Sequence, residues 1–252
     1  MTLLDRLQAG EIILGLSNSY PAAGIIEVMC PGWDLVWIDG QHGQFEYNSL
    51  LAAVRAAERA GVSSLVRVPT HDPILLGTYA DMDADALMLP LVETRAQAQS
   101  IARALRFAPL GNRSYGGRRA IDLHGRDYYK EYKPLIFAQI ETLESVENAA
   151  EIATVEGIDL LFYGPDDMKT RLGIPIDTAA LEHPQLRDGL RRTAEVARAA
   201  GKFTGTTGGS PQTLPILREM GYQVIMCGGD VPYLRTTSPQ KLAEMKKAMS
   251  EP

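Results

Sequence analysis

The sequence predicts a single α/β domain, a (β/α)8 TIM barrel, on three observations. Eight short apolar runs alternate with longer segments of helical period along the 252 residues. Glycines fall where a helix should stop ahead of the next run. No Gly-rich turn follows the first run, as an open doubly wound sheet usually shows. Strands buried on both faces and separated by helices are what a closed parallel barrel requires.

In order, the predicted strands are 12–16, 35–38, 64–68, 86–89, 135–139, 160–163, 203–205 and 224–227. Ala-, Leu- and Arg-rich stretches at 49–60, 95–105, 143–154 and 186–200 carry the helical period. Gly61, Gly157, Gly201 and Gly221 mark helix ends. The connection 107–134, rich in Gly, Arg and Tyr, is too long for a plain helix. Long loops inside compact domains are usually functional, so it is expected to shape the substrate end. No repeat, low-complexity tract or second domain interrupts residues 1–252.

Composition narrows the function classes. A chain of this size buries roughly three quarters of its extended surface and needs no disulfide or structural metal. The 45% hydrophobic and 22% charged fractions are those of an ordinary soluble protein. A net charge of −6 argues against nucleic acid or an anionic membrane as partner. Cys30 and Cys227 lack metal-ligand spacing and read as small buried apolar residues. The N-terminus has no signal-peptide core and no apolar run reaches membrane-spanning length, which predicts a cytoplasmic protein.

In such barrels the active site lies where the strands end. The second strand leads into Asp39-Gly40-Gln41-His42-Gly43, and the third carries Arg67 in Val66-Arg67-Val68-Pro69. Asp81 stands ahead of the fourth. The fifth leads into Gln139-Ile140-Glu141-Thr142, and the sixth into Gly164-Pro165-Asp166-Asp167. Each has a bland reading: His42 as a satisfied loop histidine, Glu141 and Asp167 as helix-capping carboxylates. Arg67 is harder to dismiss, since a buried arginine must find an anionic partner. The bland readings would have to coincide at strand after strand.

Together these residues have a chemical logic. Glu141 and Asp167 present hard oxygen ligands from adjacent strands, which suits Mg²⁺, Mn²⁺ or Co²⁺. A 2-oxo acid can chelate such an ion, which then stabilises an enolate. Arg67 adds a positive fork near the developing oxyanion. His42 has the unperturbed pKa that suits proton transfer near neutral pH. The backbone amides of Gly164, Pro165, Asp166 and Asp167 are a candidate cradle for the substrate carboxylate.

At these motifs the sequence resembles the HpcH/HpaI family of class II, metal-dependent pyruvate aldolases, over nearly the whole chain. Ala200-Gly201-Lys202 and Gly228-Gly229-Asp230 belong to the same series. The resemblance implies reversible cleavage of a 4-hydroxy-2-oxo acid to pyruvate and an aldehyde through a pyruvate enolate. It implies Glu141 and Asp167 as metal ligands, His42 as base with Asp81 as its partner, and Arg67 as essential. Asp39 joins this catalytic group, and Gln139 lines the site. It also implies a homo-oligomer, a hexamer or trimer, with the 206–210 loop at a subunit rim.

The chain departs from the family pattern in carrying Gln41 where a Glu is usual, an acidic 81–85 segment, and Asp166 beside Asp167. The 116–122 stretch resembles the branch that includes macrophomate synthase, which decarboxylates oxaloacetate and adds the enolate to a second molecule. Arg113, Arg118, Arg119 and Arg126 are candidates for an acceptor carboxylate and read equally as surface arginines. A Schiff-base aldolase needs a lysine where a strand ends, whereas Lys133 and Lys202 sit where strands begin and Lys169 lies past the motif. An inactive binding barrel has only Gln41 in its favour.

Overall fold

Side chains alternate with period two along a strand, so every second residue faces the interior of a closed barrel. The computed structural model describes residues 1–131 and 134–250. Its strands are β1 (Ile13–Asn18), β2 (Leu35–Asp39), β3 (Ser63–Arg67), β4 (Ala86–Leu89), β5 (Leu135–Ile140), β6 (Leu160–Tyr163), β7 (Phe203–Thr206) and β8 (Val224–Gly229). All pair in parallel in sequence order, and β8 closes on β1. The barrel expected from the sequence is the one formed.

Inward residues Ile13, Leu35, Leu65, Met88, Phe137, Phe162 and Met226 make one packed cluster. Trp37 meets Phe162 edge to face, with centroids 5.5 Å apart. Outward residues such as Val36, Val66, Leu87, Ile136 and Leu161 join the layer between strands and helices. On three strands the next inward position is where polarity begins: Asp39 after Trp37, Arg67 after Leu65, Gln139 after Phe137. A polar ring therefore stands on an apolar floor at the upper rim, where the strands end.

Among the described residues, twelve α-helices surround the strands: α1 (Leu3–Gln8), α2 (Ala23–Met29), α3 (Tyr47–Ala60), α4 (Pro73–Ala80), α5 (Arg95–Leu105), α6 (Arg118–His124), α7 (Leu143–Glu147), α8 (Ala149–Ala153), α9 (Pro165–Leu172), α10 (Pro184–Ala199), α11 (Leu214–Met220) and α12 (Asp230–Ser250). Gly61 and Gly221 end α3 and α11 at φ 73° and 99°, backbone that other residues adopt only with strain. The single helix expected over 143–154 is two, parted at Asn148, whose side chain donates to Glu93 O at 2.9 Å. α12 packs chiefly on β1 and β8 and is exposed along nearly all its length.

The placement of the 107–134 connection needs correction. It joins the end of α5 to the start of β5. A helix in a parallel barrel runs back against its strand, so its end lies at the lower face, where the next strand begins. Arg106 anchors the segment there, donating to Pro134 O at 2.9 Å, Gly157 O at 2.7 Å and Asp159 at 2.5 Å. Within one chain this segment does not shape the upper rim. Of its residues, 132 and 133 lie outside those described.

Candidate active site at the upper rim

β2 and β3 run in register, Asp39 beside Arg67. The guanidinium grips the carboxylate with both arms, Nε to Oδ1 at 2.9 Å and Nη2 to Oδ2 at 2.7 Å. Both residues are 8% exposed. Burial alone would push the Asp39 carboxyl up. The Arg67 fork and the amides of His42 and Gln41 outweigh it and hold the carboxyl below the usual range. Arg67 also lies 4.7 Å from the Trp37 ring centroid, a cation–π contact. The anionic partner demanded of a buried arginine is thus Asp39.

The 39–43 turn carries His42 outward from this pair. Its backbone N–H and that of Gln41 donate to Asp39 Oδ1, both at 3.1 Å. The imidazole is exposed and makes no hydrogen bond among the described residues. It is therefore not a loop histidine satisfied by its neighbours. Gln41 Oε1 is buried without a donor among the described residues.

β5 and β6 bring the carboxylates together. Thr142 caps α7, accepting from Ser145 N at 3.0 Å. Ser145 Oγ in turn accepts from the N–H groups of Glu141 and Thr142. Glu141 is thereby freed of any capping duty. Its Oε1 accepts from Leu91 N at 2.7 Å and its Oε2 from Gln139 Nε2 at 2.5 Å. Leu91 holds a left-handed φ of 51° to aim that amide. Asp167, in the first turn of α9, hydrogen-bonds Glu141 through its side chain. It does not cap α9, whose N-cap is Gly164. Burial first, and the adjacent Asp167 charge next, push the Glu141 carboxyl up to about 7, against the pull of Leu91 N–H and Arg67. Gly164 lets α9 close in, since a Cβ there would stand 2.8 Å from Gln139 Nε2 and 3.1 Å from Glu141 Oε2.

Several expectations change. Gly164 N–H already donates to Ile140 O at 2.9 Å, and Pro165 has none, so only the Asp166 and Asp167 amides are left for a substrate carboxylate. The Asp166 side chain turns to Lys169 Nζ at 2.9 Å. Asp81 caps the lower end of α4 and binds Arg113 at 2.6 Å, so the His42–Asp81 pair does not form within one chain. Arg118 pairs with Asp122 and Arg119 with Glu58, away from the rim. Lys169 and Lys202 are tied to backbone carbonyls, of Ile176 and Ile158 respectively, and Lys133 lies outside the described residues.

Two contributors escaped sequence reading. Leu91 acts through its backbone, which no residue type announces. Asp230, buried at the end of β8, accepts from Asn18 Nδ2 and from the N–H groups of Ser19 and Tyr20 at 2.8–2.9 Å, pinning the turn after β1. Its place in a Gly-Gly-Asp motif was the available signal.

The Glu141–Asp167 pair fits a hard divalent cation. A buried carboxylate, Glu141, beside a half-buried one, Asp167, repels it unless one is protonated or a cation lies between them. Gln139 Oε1 is also buried without a donor beside them. No group of three or more His, Cys, Asp or Glu with metal-holding geometry occurs among the described residues. Such an ion would take these two protein carboxylates, with the rest of its shell from water or substrate.

Residues 17–235 match the family model described as HpcH/HpaI aldolase/citrate lyase. A 4-hydroxy-2-oxovalerate aldolase of Novosphingobium aromaticivorans is 38% identical over 67% of this chain and 66% of its own. A hydroxypyruvate/pyruvate aldolase of Rhizorhabdus wittichii is 32% identical over 85% of this chain and 86% of its own. The crystal structure of macrophomate synthase superposes with a TM-score of 0.84 at 27% identity, covering 98% of this chain and 88% of that one.

Proposed function

Because the chain belongs to the HpcH/HpaI aldolase/citrate lyase family, we propose that it is a divalent-metal-dependent aldolase, a carbon–carbon lyase. It reversibly cleaves a 4-hydroxy-2-oxo acid to pyruvate and an aldehyde. The observation that carries this reading is the pairing of buried Glu141 with half-buried Asp167 within reach of the Arg67 charge. The names of the relatives support it.

Glu141 and Asp167 would hold the metal, Mg²⁺, Mn²⁺ or Co²⁺. When bound, it supplies positive charge to the carboxylate and ketone oxygens of a 2-oxo acid. Arg67, fixed by Asp39, faces the oxygen on which negative charge grows as the carbon–carbon bond breaks. Gln139 orients Glu141 through its Nε2. The amides of Asp166 and Asp167 hold the substrate carboxylate at the positive end of α9. His42, exposed at the mouth, takes the proton from the substrate hydroxyl, directly or through water.

A second reading keeps this site but begins with decarboxylation of oxaloacetate, and the likeness to macrophomate synthase favours it. The catalytic set of His42, Arg67, Glu141 and Asp167 speaks against an inactive barrel. The protein acts as a homo-oligomer, a hexamer or trimer. α12 supports this, because Leu234, Leu242, Met245 and Met249 are about half exposed or more along it. No described helix is long and apolar enough to cross a membrane, and we place the enzyme in the cytoplasm.

The test is pyruvate release from a 4-hydroxy-2-oxo acid before and after chelation. Activity should vanish with the chelator and return with Mg²⁺, Mn²⁺ or Co²⁺. Borohydride added with pyruvate should leave the enzyme active. A lysine trapped covalently under those conditions would overturn the metal-dependent assignment.

A further inference from the structure

The upper rim divides into two halves. The half from β3 to β6 holds Arg67, Glu141 and Asp167. The other is a cleft of about 300 Å³ whose walls include Ser17, Trp37, Thr207, Met226, Cys227 and Gly228. It lies where β8, β1 and β2 end, beneath the turn after β7. Among the described residues no charged side chain lines it. The halves meet at Trp37, whose ring lies against Arg67.

Trp37 is 7% exposed, yet its indole Nε1 is buried with no acceptor among the described residues. That nitrogen has no surface open to the cleft, so Trp37 offers the cleft only its apolar ring. Ser17 Oγ donates to Gly228 O at 3.1 Å, which leaves its lone pairs for an incoming hydroxyl. Among the described residues no cation lines the cleft to receive a carboxylate. Arg67 is gripped by Asp39, while Arg113, Arg118 and Arg119 are paired elsewhere. An anion entering the cleft would shed water with nothing to replace it.

On the aldolase reading above, we infer that this cleft receives the aldehyde, and that the aldehyde is small and neutral. Any hydroxyl it carries reaches Ser17, and its apolar part lies against Trp37 and Met226. A semialdehyde bearing a second carboxylate is the wrong partner. The volume is at the small end of ligand cavities, which suits an acceptor of a few heavy atoms.

The experiment condenses pyruvate with propanal, glycolaldehyde or succinic semialdehyde on the metal-supplemented enzyme. The neutral aldehydes should win by about tenfold or more in kcat/KM, one interaction's worth of discrimination. Thr207→Arg, which places a cation on the wall, should cut that ratio about tenfold. Exchange of pyruvate methyl protons with D₂O, followed by NMR, tests enolate formation without any aldehyde. No exchange overturns the aldolase reading itself. Exchange with a preference for succinic semialdehyde, or a ratio unmoved by Thr207→Arg, overturns the acceptor assignment alone.

Discussion

Arg67 and His42 answer to different steps of the reaction, and substitution should separate them. Cleavage of the aldol needs a proton taken from its hydroxyl, whereas loss of CO₂ from oxaloacetate does not. His42→Ala should therefore lose aldol cleavage by about 10²–10⁴-fold and decarboxylation much less. Arg67→Ala should damage both by a similar factor, because the developing charge is common to them. Pyruvate-release rates with each substrate at saturating metal decide it. Equal losses in His42→Ala would show that His42 is not a dedicated base. Asp39→Ala strands a buried guanidinium and should cost about 3–5 kcal/mol by urea unfolding. The Asp39 carboxyl lies below its unfolded value. Its contribution is therefore whole above about pH 4 and fades as pH falls through the lower folded value. Wild type should lose stability in that acid window, and Asp39→Asn should lose less of it. Gln41 presents a buried, unmatched oxygen, and Gln41→Glu should tighten the apparent metal affinity about tenfold if it supports the shell. An unchanged titration would assign Gln41 another role.

At the scale of the element, the site depends on how α7 and α9 begin. Ser145 ties down the N–H groups of Glu141 and Thr142 while Thr142 caps the helix. Ser145→Ala should cost about 1–2 kcal/mol of stability and loosen Glu141 as well. Melting temperature and metal titration should shift together. Gly164→Ala is a cleaner displacement, because φ is −106° and any residue tolerates the backbone there. The added methyl meets Gln139 and Glu141, so pyruvate release should fall steeply while the melting temperature drops little. A fully active Gly164→Ala would show that the carboxylate spacing is not critical.

At the scale of the whole molecule, α12 is the element that a lone chain leaves uncovered. Leu242 and Met245 are 55% and 48% exposed, so Leu242→Glu with Met245→Glu removes little packing within the chain. The pair should nonetheless reduce the mass seen by light scattering toward the monomer, with the barrel's circular dichroism intact. A mass unaltered by both charges would show that assembly uses another surface.

The alternation of apolar runs and helical segments determined the barrel, because strand burial on two faces leaves few other architectures. Strand ends made the ring readable, since Asp39, Arg67 and Gln139 all stand where an apolar run finishes. Partners were a different matter. Asp39 was legible as a motif residue, but that it neutralises Arg67 is decided by strand register. Asp81 reads as a site residue in a linear chain, and Arg113 and Arg119 as acceptor candidates or surface arginines. Topology carries them to the opposite face, since each helix returns its chain to where strands begin. Leu91 N–H and the freed Glu141 carboxylate depend on backbone direction and on which residue takes the cap. Such choices follow from three-dimensional packing, which residue type and spacing leave undetermined.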